Sequence, residues 1–118
     1  ALNDYAYIIS ERHNSSLNEL NYALKLANQA ITMEPNNAAF LDTIGWIYFK
    51  MGNYNISQEY MEKSLNINED NPVILEHMGD IYHKLDAPDQ ALLLYKKALF
   101  KDIENKIIQE KINQINDQ

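Results

Sequence analysis

The chain repeats itself. The stretch LDTIGWIYFKMGNY, beginning at Leu41, returns as LEHMGDIYHKLDAP, beginning at Leu75. Leu41/Leu75, Gly45/Gly79, Ile47/Ile81, Tyr48/Tyr82 and Lys50/Lys84 coincide at one constant offset, and Ser57/Ala91, Met61/Tyr95, Ser64/Ala98 and Leu65/Leu99 follow at the same offset. An earlier copy ends in Ala23, Ala27, Ala30, Ile31 and Pro35, each the same distance upstream of its counterpart. A unit this short cannot bury its apolar side alone, so neighbouring copies must stack.

Each copy reads as two helices. Phe40, Leu41, Ile44, Ile47, Tyr48 and Met51 follow a helical period, Gly52-Asn53 interrupts it as a left-handed cap does, and Tyr54, Ser57, Tyr60, Met61, Ser64 and Leu65 resume it. Pro35 and Pro72 punctuate the turns between copies, and Pro88 suits the first turn of a helix. The first copy is irregular: strict spacing puts Glu11 in the slot of the glycine. LNDYAYIISE fits LDTIGWIYFK better, with Leu2, Ala6 and Ile8 on Leu41, Gly45 and Ile47; the polar stretch HNSS at 13–16 takes up the extra residues. One domain over 1–118 is expected, with copies at about 1–36 (irregular loop 12–17), 37–70 and 71–104. An amphipathic closing helix is expected at about 105–116, with Ile107, Ile108, Ile112 and Ile115 on its apolar face.

Composition excludes several classes. Ten Lys and Arg against seventeen Asp and Glu leave a formal charge of −7. That argues against binding nucleic acid or an anionic membrane surface through bulk charge. There is no cysteine, hence no disulfide, thiolate nucleophile or thiolate metal site. No apolar run approaches the roughly 18 residues a membrane span needs. Three Gly and three Pro are too few for an architecture of many tight β-turns.

The repeat resembles the tetratricopeptide repeat, whose pattern places a large residue, Leu-Gly, Tyr, Ala, an aromatic, Ala and Pro along about 34 residues. In the second copy these slots hold Leu41, Ile44-Gly45, Tyr48, Ser57, Met61 and Ser64, with Glu69 in place of Pro. In the third they hold Leu75, Met78-Gly79, Tyr82, Ala91, Tyr95 and Ala98, with Ile103 in place of Pro. In the first they hold Leu2, Tyr5-Ala6, Ile9, Ala23, Ala27, Ala30 and Pro35. The resemblance covers about residues 2–105. It implies an all-α fold, a right-handed α-solenoid of three helix pairs plus a C-terminal capping helix. Gly45 and Gly79 would meet small residues, Ser57 and Ala91, and Tyr48 and Tyr82 would fill the wedge between pairs. It also implies a concave groove, lined by the first helix of each pair, that binds a peptide segment or partner helix.

Carried over to this sequence, the groove positions include Tyr7, Asp42, Trp46, Phe49, Lys50, Glu76, His77, Asp80, His83 and Lys84. Trp46, with Phe49 and Tyr7, would anchor an apolar side chain of the bound segment. An alternative stays open, in which Trp46 packs between the helices of one pair as core. The mixed charges of Asp42, Glu76, Asp80, Lys50 and Lys84 suit a partner with polar and basic residues beside a hydrophobic one. A subset of the family grips the carboxylate end of chaperone tails with Lys, two Asn, and a further Lys and Arg. The matching positions here are Asn3, Tyr7, Thr43, Val73 and His77, and none reproduces that clamp, so no chaperone-tail binding is expected.

The expected function is a non-catalytic protein-interaction scaffold. The second reading is a structural segment of a longer array, or a self-associating module, with Leu2, Tyr5 and Ile9 turned toward a neighbour. No phosphate loop, GxSxG or HExxH is present, and neither a cofactor nor a metal site is expected. Glu76, Asp80 and His83 share one helix face at i, i+4 and i+7, a spacing common by chance. His13 reads as an exposed loop residue. The chain opens on what reads as the middle of a helix, so a piece of a longer or processed protein is expected. The look of the repeats suggests a bacterial cytoplasmic or envelope (periplasmic) origin.

Overall fold

Short polar side chains decide where the helices begin. Ser16 and Glu19 form a reciprocal capping box, each side chain accepting a 3.1 Å bond from the other's backbone N–H. The backbone bond from Ser16 lowers the Glu19 pKa first; the Ser16 hydroxyl and the Arg12 guanidinium add to the effect. Asn37, Asn71 and Asn105 each accept a hydrogen bond from a backbone N–H two or three residues on.

A computed structural model describes residues 1–12 and 14–117 and contains no strand among them. Its helices are α1 (Leu2–Glu11), α2 (Leu17–Met33), α3 (Ala38–Lys50), α4 (Tyr54–Ile67), α5 (Pro72–Lys84), α6 (Pro88–Lys101) and α7 (Lys106–Asn116). The all-α arrangement of three helix pairs and a closing helix is the one expected. His13 lies outside the described residues. No helix among the described residues is long and apolar enough to cross a membrane. The chain forms two compact units, one from Ala1 to Ile67 and one from Asn68 onward.

In the first unit, α1–α2 and α3–α4 are hairpins. Ala6, Ile9, Leu20, Ala23, Leu26 and Ala27 bury together with Ile44 and Ile47 of α3. Fully burying each larger side chain contributes roughly 1.5–3 kcal/mol. Tyr48 packs on this cluster and stacks on Tyr60, ring centres 5.7 Å apart, close to its expected wedge role. Ile9 lies in the core, and Ile8 is the exposed residue of that pair.

The close crossing of α3 and α4 depends on Gly45. A Cβ there would lie 3.0 Å from Met61 Cε and 3.2 Å from the Ser57 carbonyl oxygen. Ser57 Oγ donates to the Gly45 carbonyl at 2.6 Å, and Ser64 Oγ donates to the Ala38 carbonyl at 2.7 Å. Two hydroxyls thus clasp the hairpin where the third copy has Ala91 and Ala98.

In the second unit, α5 and α6 cross at Gly79, where a Cβ would lie 2.5 Å from Tyr95 Cε1 and 2.7 Å from Tyr95 Cδ1. The residue filling the glycine notch is therefore the ring four positions beyond the small Ala91. Ile74, Leu75, Met78, Ile81, Ala91, Tyr95 and Ala98 are buried, as are Ile108, Ile112 and Ile115 of α7. Ile107, expected on the apolar face of α7, is exposed, because its Cα points about 100° away from that of Ile108. Asn105 stands one repeat length after Asn71, which stands one repeat length after Asn37. So α7 begins in register with α3 and α5. Gln109, Asn113 and Asn116 take the slots of Leu75, Gly79 and Tyr82, and all three are exposed, so this face is solvated.

The turns of the second and third copies use the same geometry with different residues. Gly52 has φ 87° after α3; Asp86, its counterpart one repeat later, has φ 61° after α5. Asp86→Gly is expected to stabilise the second unit by up to about 1 kcal/mol, read as a higher urea midpoint.

Alanine at Gly79 cannot be accommodated without moving the Tyr95 ring, whereas at Gly45 the Met61 methyl can swing aside and the Ser57 carbonyl at 3.2 Å must give by only a few tenths of an ångström. Gly79→Ala is expected to cost about 2–3 kcal/mol and Gly45→Ala about 1 kcal/mol or less, after the helix-propensity gain. Urea unfolding followed by circular dichroism measures both, and equal losses would refute the assignment.

Candidate functional site

The first unit carries an aromatic stack at the end of α3. The sequence puts Trp46, Phe49 and Lys50 within one turn, and Gly52 brings α4 back so that Tyr54 joins them. Trp46 and Phe49 stack with ring centres 4.7 Å apart and planes 12° apart. Phe49 and Tyr54 lie at 5.5 Å and 51°. The Lys50 ammonium sits 5.4 Å above the Trp46 ring.

Trp46 is only 6% exposed, and Asp42 and Thr43 one turn earlier are also buried. Phe49, Lys50 and Tyr54 are half-buried and form the accessible edge of the stack, with Trp46 as its backing. Tyr7, on α1, is half-buried as well. Tyr54 was not among the expected positions, because it belongs to the second helix of its pair.

In the second unit, His77 is buried, Glu76, Asp80 and His83 are half-buried and Lys84 is exposed. Glu76 and Asp80 are engaged by a residue the repeat pattern did not single out, Lys111 of α7. Its ammonium donates to Glu76 Oε2 and to Asp80 Oδ2, the latter at 3.1 Å. Tyr95 of α6 donates its hydroxyl to Asp80 Oδ1. Lys111 also lies 5.8 Å above the Tyr95 ring. One cation, two carboxylates and a phenol thus join α5, α6 and α7. The signal for Lys111 was available: it stands one repeat length after His77.

Burial opposes the charge of Lys111, but Asp80 and Glu76 outweigh it and hold its pKa above the ordinary lysine value of 10.5. Burial, then Asp80, then Glu76 push the Tyr95 phenol far above its ordinary value of 10.0. Among the described residues no three His, Asp or Glu side chains form a metal-ligand set. Glu76 and Asp80, considered with His83 for such a set, face the Lys111 ammonium.

Lys111 and Tyr95 both hold their protons more tightly folded than unfolded. Their contribution is therefore complete below pH 10 and is lost as pH rises above it. Urea midpoints are expected to fall progressively above pH 10, with Lys111→Met less stable below that pH and less sensitive above it. A flat wild-type profile across this window would remove the network from the stabilising interactions.

Comparison with known proteins bears on these surfaces. The tetratricopeptide-repeat family model matches residues 38–71, which span α3 and α4. The chain is 30% identical over 106 residues to the ycf37 protein of Guillardia theta. That alignment covers 90% of the chain and 53% of the relative, so the chain spans about half the relative's length. The relative's source lends no support to the expected bacterial origin.

The structure is similar to the Sgt2 tetratricopeptide domain of Aspergillus fumigatus, with a TM-score of 0.83 at 15% identity over 98% of this chain and 74% of that one. It is similar also to the first such domain of Spaghetti (RPAP3), solved bound to the HSP90 peptide SRMEEVD, with a TM-score of 0.79 at 14% identity over 98% and 93%. At these identities the likeness shows the fold. The constant repeat period and the model match on α3–α4 identify residues 38–71 as a tetratricopeptide repeat, and the described helices share the fold of tetratricopeptide-repeat domains.

Proposed function

We propose that this chain is a non-catalytic protein-interaction module that holds a partner peptide or helix, with α3 as the main contact. The observation that carries this reading is the Trp46–Phe49–Tyr54 stack with Lys50 beside it. A packed aromatic row offers a guest apolar area with little rotamer freedom to lose, and stacking fixes Phe49 before a guest arrives. An aliphatic or aromatic side chain of the partner would lie on Phe49 and Tyr54, with a partner carboxylate beside Lys50.

In the second unit the reading rests on His83 and Lys84, since Glu76 and Asp80 already face Lys111. This shifts the preferred partner away from a basic segment. The RPAP3 domain was solved with an HSP90 peptide, but Asn3, Tyr7, Thr43, Val73 and His77 stand where the chaperone-tail clamp needs its Lys, Asn and Arg side chains. A partner other than a chaperone tail is therefore proposed.

The reading of a longer array or self-association rests on a different observation. Leu2, Tyr5 and Ile8 of α1 and Tyr22 of α2 are exposed, with Tyr5 and Tyr22 edge-to-face at 6.4 Å. Another repeat or a second copy would cover them.

One experiment separates the readings. Peptides selected from a random display library on the wild-type chain are titrated into wild type, Phe49→Ala and Tyr5→Ala, with the sole tryptophan, Trp46, as fluorescent reporter. The groove reading expects a loss of about tenfold or more for Phe49→Ala and none for Tyr5→Ala. The peptide SRMEEVD is expected not to bind. Selected peptides that bind Phe49→Ala as tightly as wild type would remove the stack from the proposal. Dilution-dependent light scattering abolished by Tyr5→Ala would favour self-association.

A further inference from the structure

The outer face of α6 breaks the rule that the other second helices obey. Residues 93, 96, 97 and 100 fall on one side of the helix, opposite the buried Ala91, Tyr95 and Ala98. The equivalent slots of α2 hold Lys25, Asn28, Gln29 and Thr32, and those of α4 hold Glu59, Glu62, Lys63 and Asn66. All eight are exposed, and none is apolar. In α6 the slots hold Leu93, Lys96, Lys97 and Phe100, with Leu93 57% and Phe100 78% exposed.

Repeat packing does not demand this stripe, since two copies do without it. Leu93 and Phe100 stand two turns apart, with Lys96 and Lys97 between them on either flank. Among the described residues no carboxylate pairs with Lys96 or Lys97. Lys101, paired with Asp70 at 3.8 Å, lies over the Phe100 ring at 5.9 Å. A chain of formal charge −7 thus concentrates cations around the Leu93–Phe100 stripe of α6.

We infer that the outer face of α6 is a docking surface for an acidic amphipathic helix of a partner protein, distinct from the α3 face. Leu93 and Phe100 would receive apolar side chains two turns apart on the partner, and Lys96 and Lys97 would pair with carboxylates flanking them. A lipid surface fits less well: two side chains anchor weakly, and the net charge repels anionic headgroups. A second copy fits less well through this face, because two α6 faces would oppose four lysines.

The probe is a synthetic helix with leucines two turns apart and glutamates on either side; its control carries lysines in place of the glutamates. The variants Leu93→Glu and Phe100→Asn import the residues of α4 into slots that are exposed in every copy, so folding is retained, and circular dichroism checks it. Anisotropy titration is expected to show binding of the acidic helix only. Each variant, and Lys96→Glu with Lys97→Glu, should weaken it by about tenfold, with the affinity falling as salt rises. Phe49→Ala should leave it unchanged, which separates this surface from the one proposed on α3.

Equal binding of both helices, or binding untouched by the α6 variants, would overturn the inference. So would flotation with phosphatidylserine vesicles that Phe100→Asn abolishes. Concentration-dependent dimerisation lost in Phe100→Asn would assign the stripe to a second copy and overturn it equally.

Discussion

The close approach of two helices at a glycine underlies the α3–α4 and α5–α6 hairpins. Gly45 and Gly79 remove a side chain where α3 meets α4 and where α5 meets α6, and a neighbouring residue occupies the space. At these crossings Ser57 reaches the Gly45 carbonyl, and the Tyr95 ring fills the Gly79 notch with its hydroxyl on Asp80. The aromatic stack and the charged network both hang on this spacing. The stack needs α4 to return beside the end of α3, and the network needs α6 pressed against α5.

Polarity then sorts the surfaces. Asn37, Asn71 and Asn105 start three helices in the same register, yet the third is treated differently. Where α3 and α5 have Leu, Gly and Tyr toward a second helix, α7 has Gln109, Asn113 and Asn116, and Gln109 donates to Asn113 at 3.0 Å. A helix of repeat parentage has become a cover, apolar on the side that meets the second unit's core and polar on the side that would otherwise seek a partner.

The helix pairs, the left-handed turn at Gly52 and the closing helix were legible in the sequence because periodicity and glycine carry their own physical warrant. Three things were not. The partner of Gly79 was sought at Ala91, although the ring of Tyr95, one turn further on, fills the notch; at Gly45 the expected Ser57 is there, joined by the Met61 methyl. The exposure of Trp46 could not be read, since a slot on the groove side of a helix is compatible with burial once Phe49 and Lys50 fold over it. Glu76 and Asp80 read as surface charges because their cation comes from 31 and 35 residues away, on a helix whose register was hidden by its polar substitutions. Asp86 shows the reverse case: glycine was absent, and the left-handed turn formed regardless.

The two glycine notches are filled by unlike materials. A thioether on three rotatable bonds yields to a shifted neighbour; a phenol tethered at its far end does not. The hairpin bearing the aromatic row closes on two hydroxyl-to-carbonyl bonds beside that movable thioether, while the other closes on a phenol anchored to a carboxylate. Copies of one motif thus hold their crossings by different chemistry, hydroxyls on backbone carbonyls in one and a ring with its hydroxyl on a side-chain carboxylate in the next.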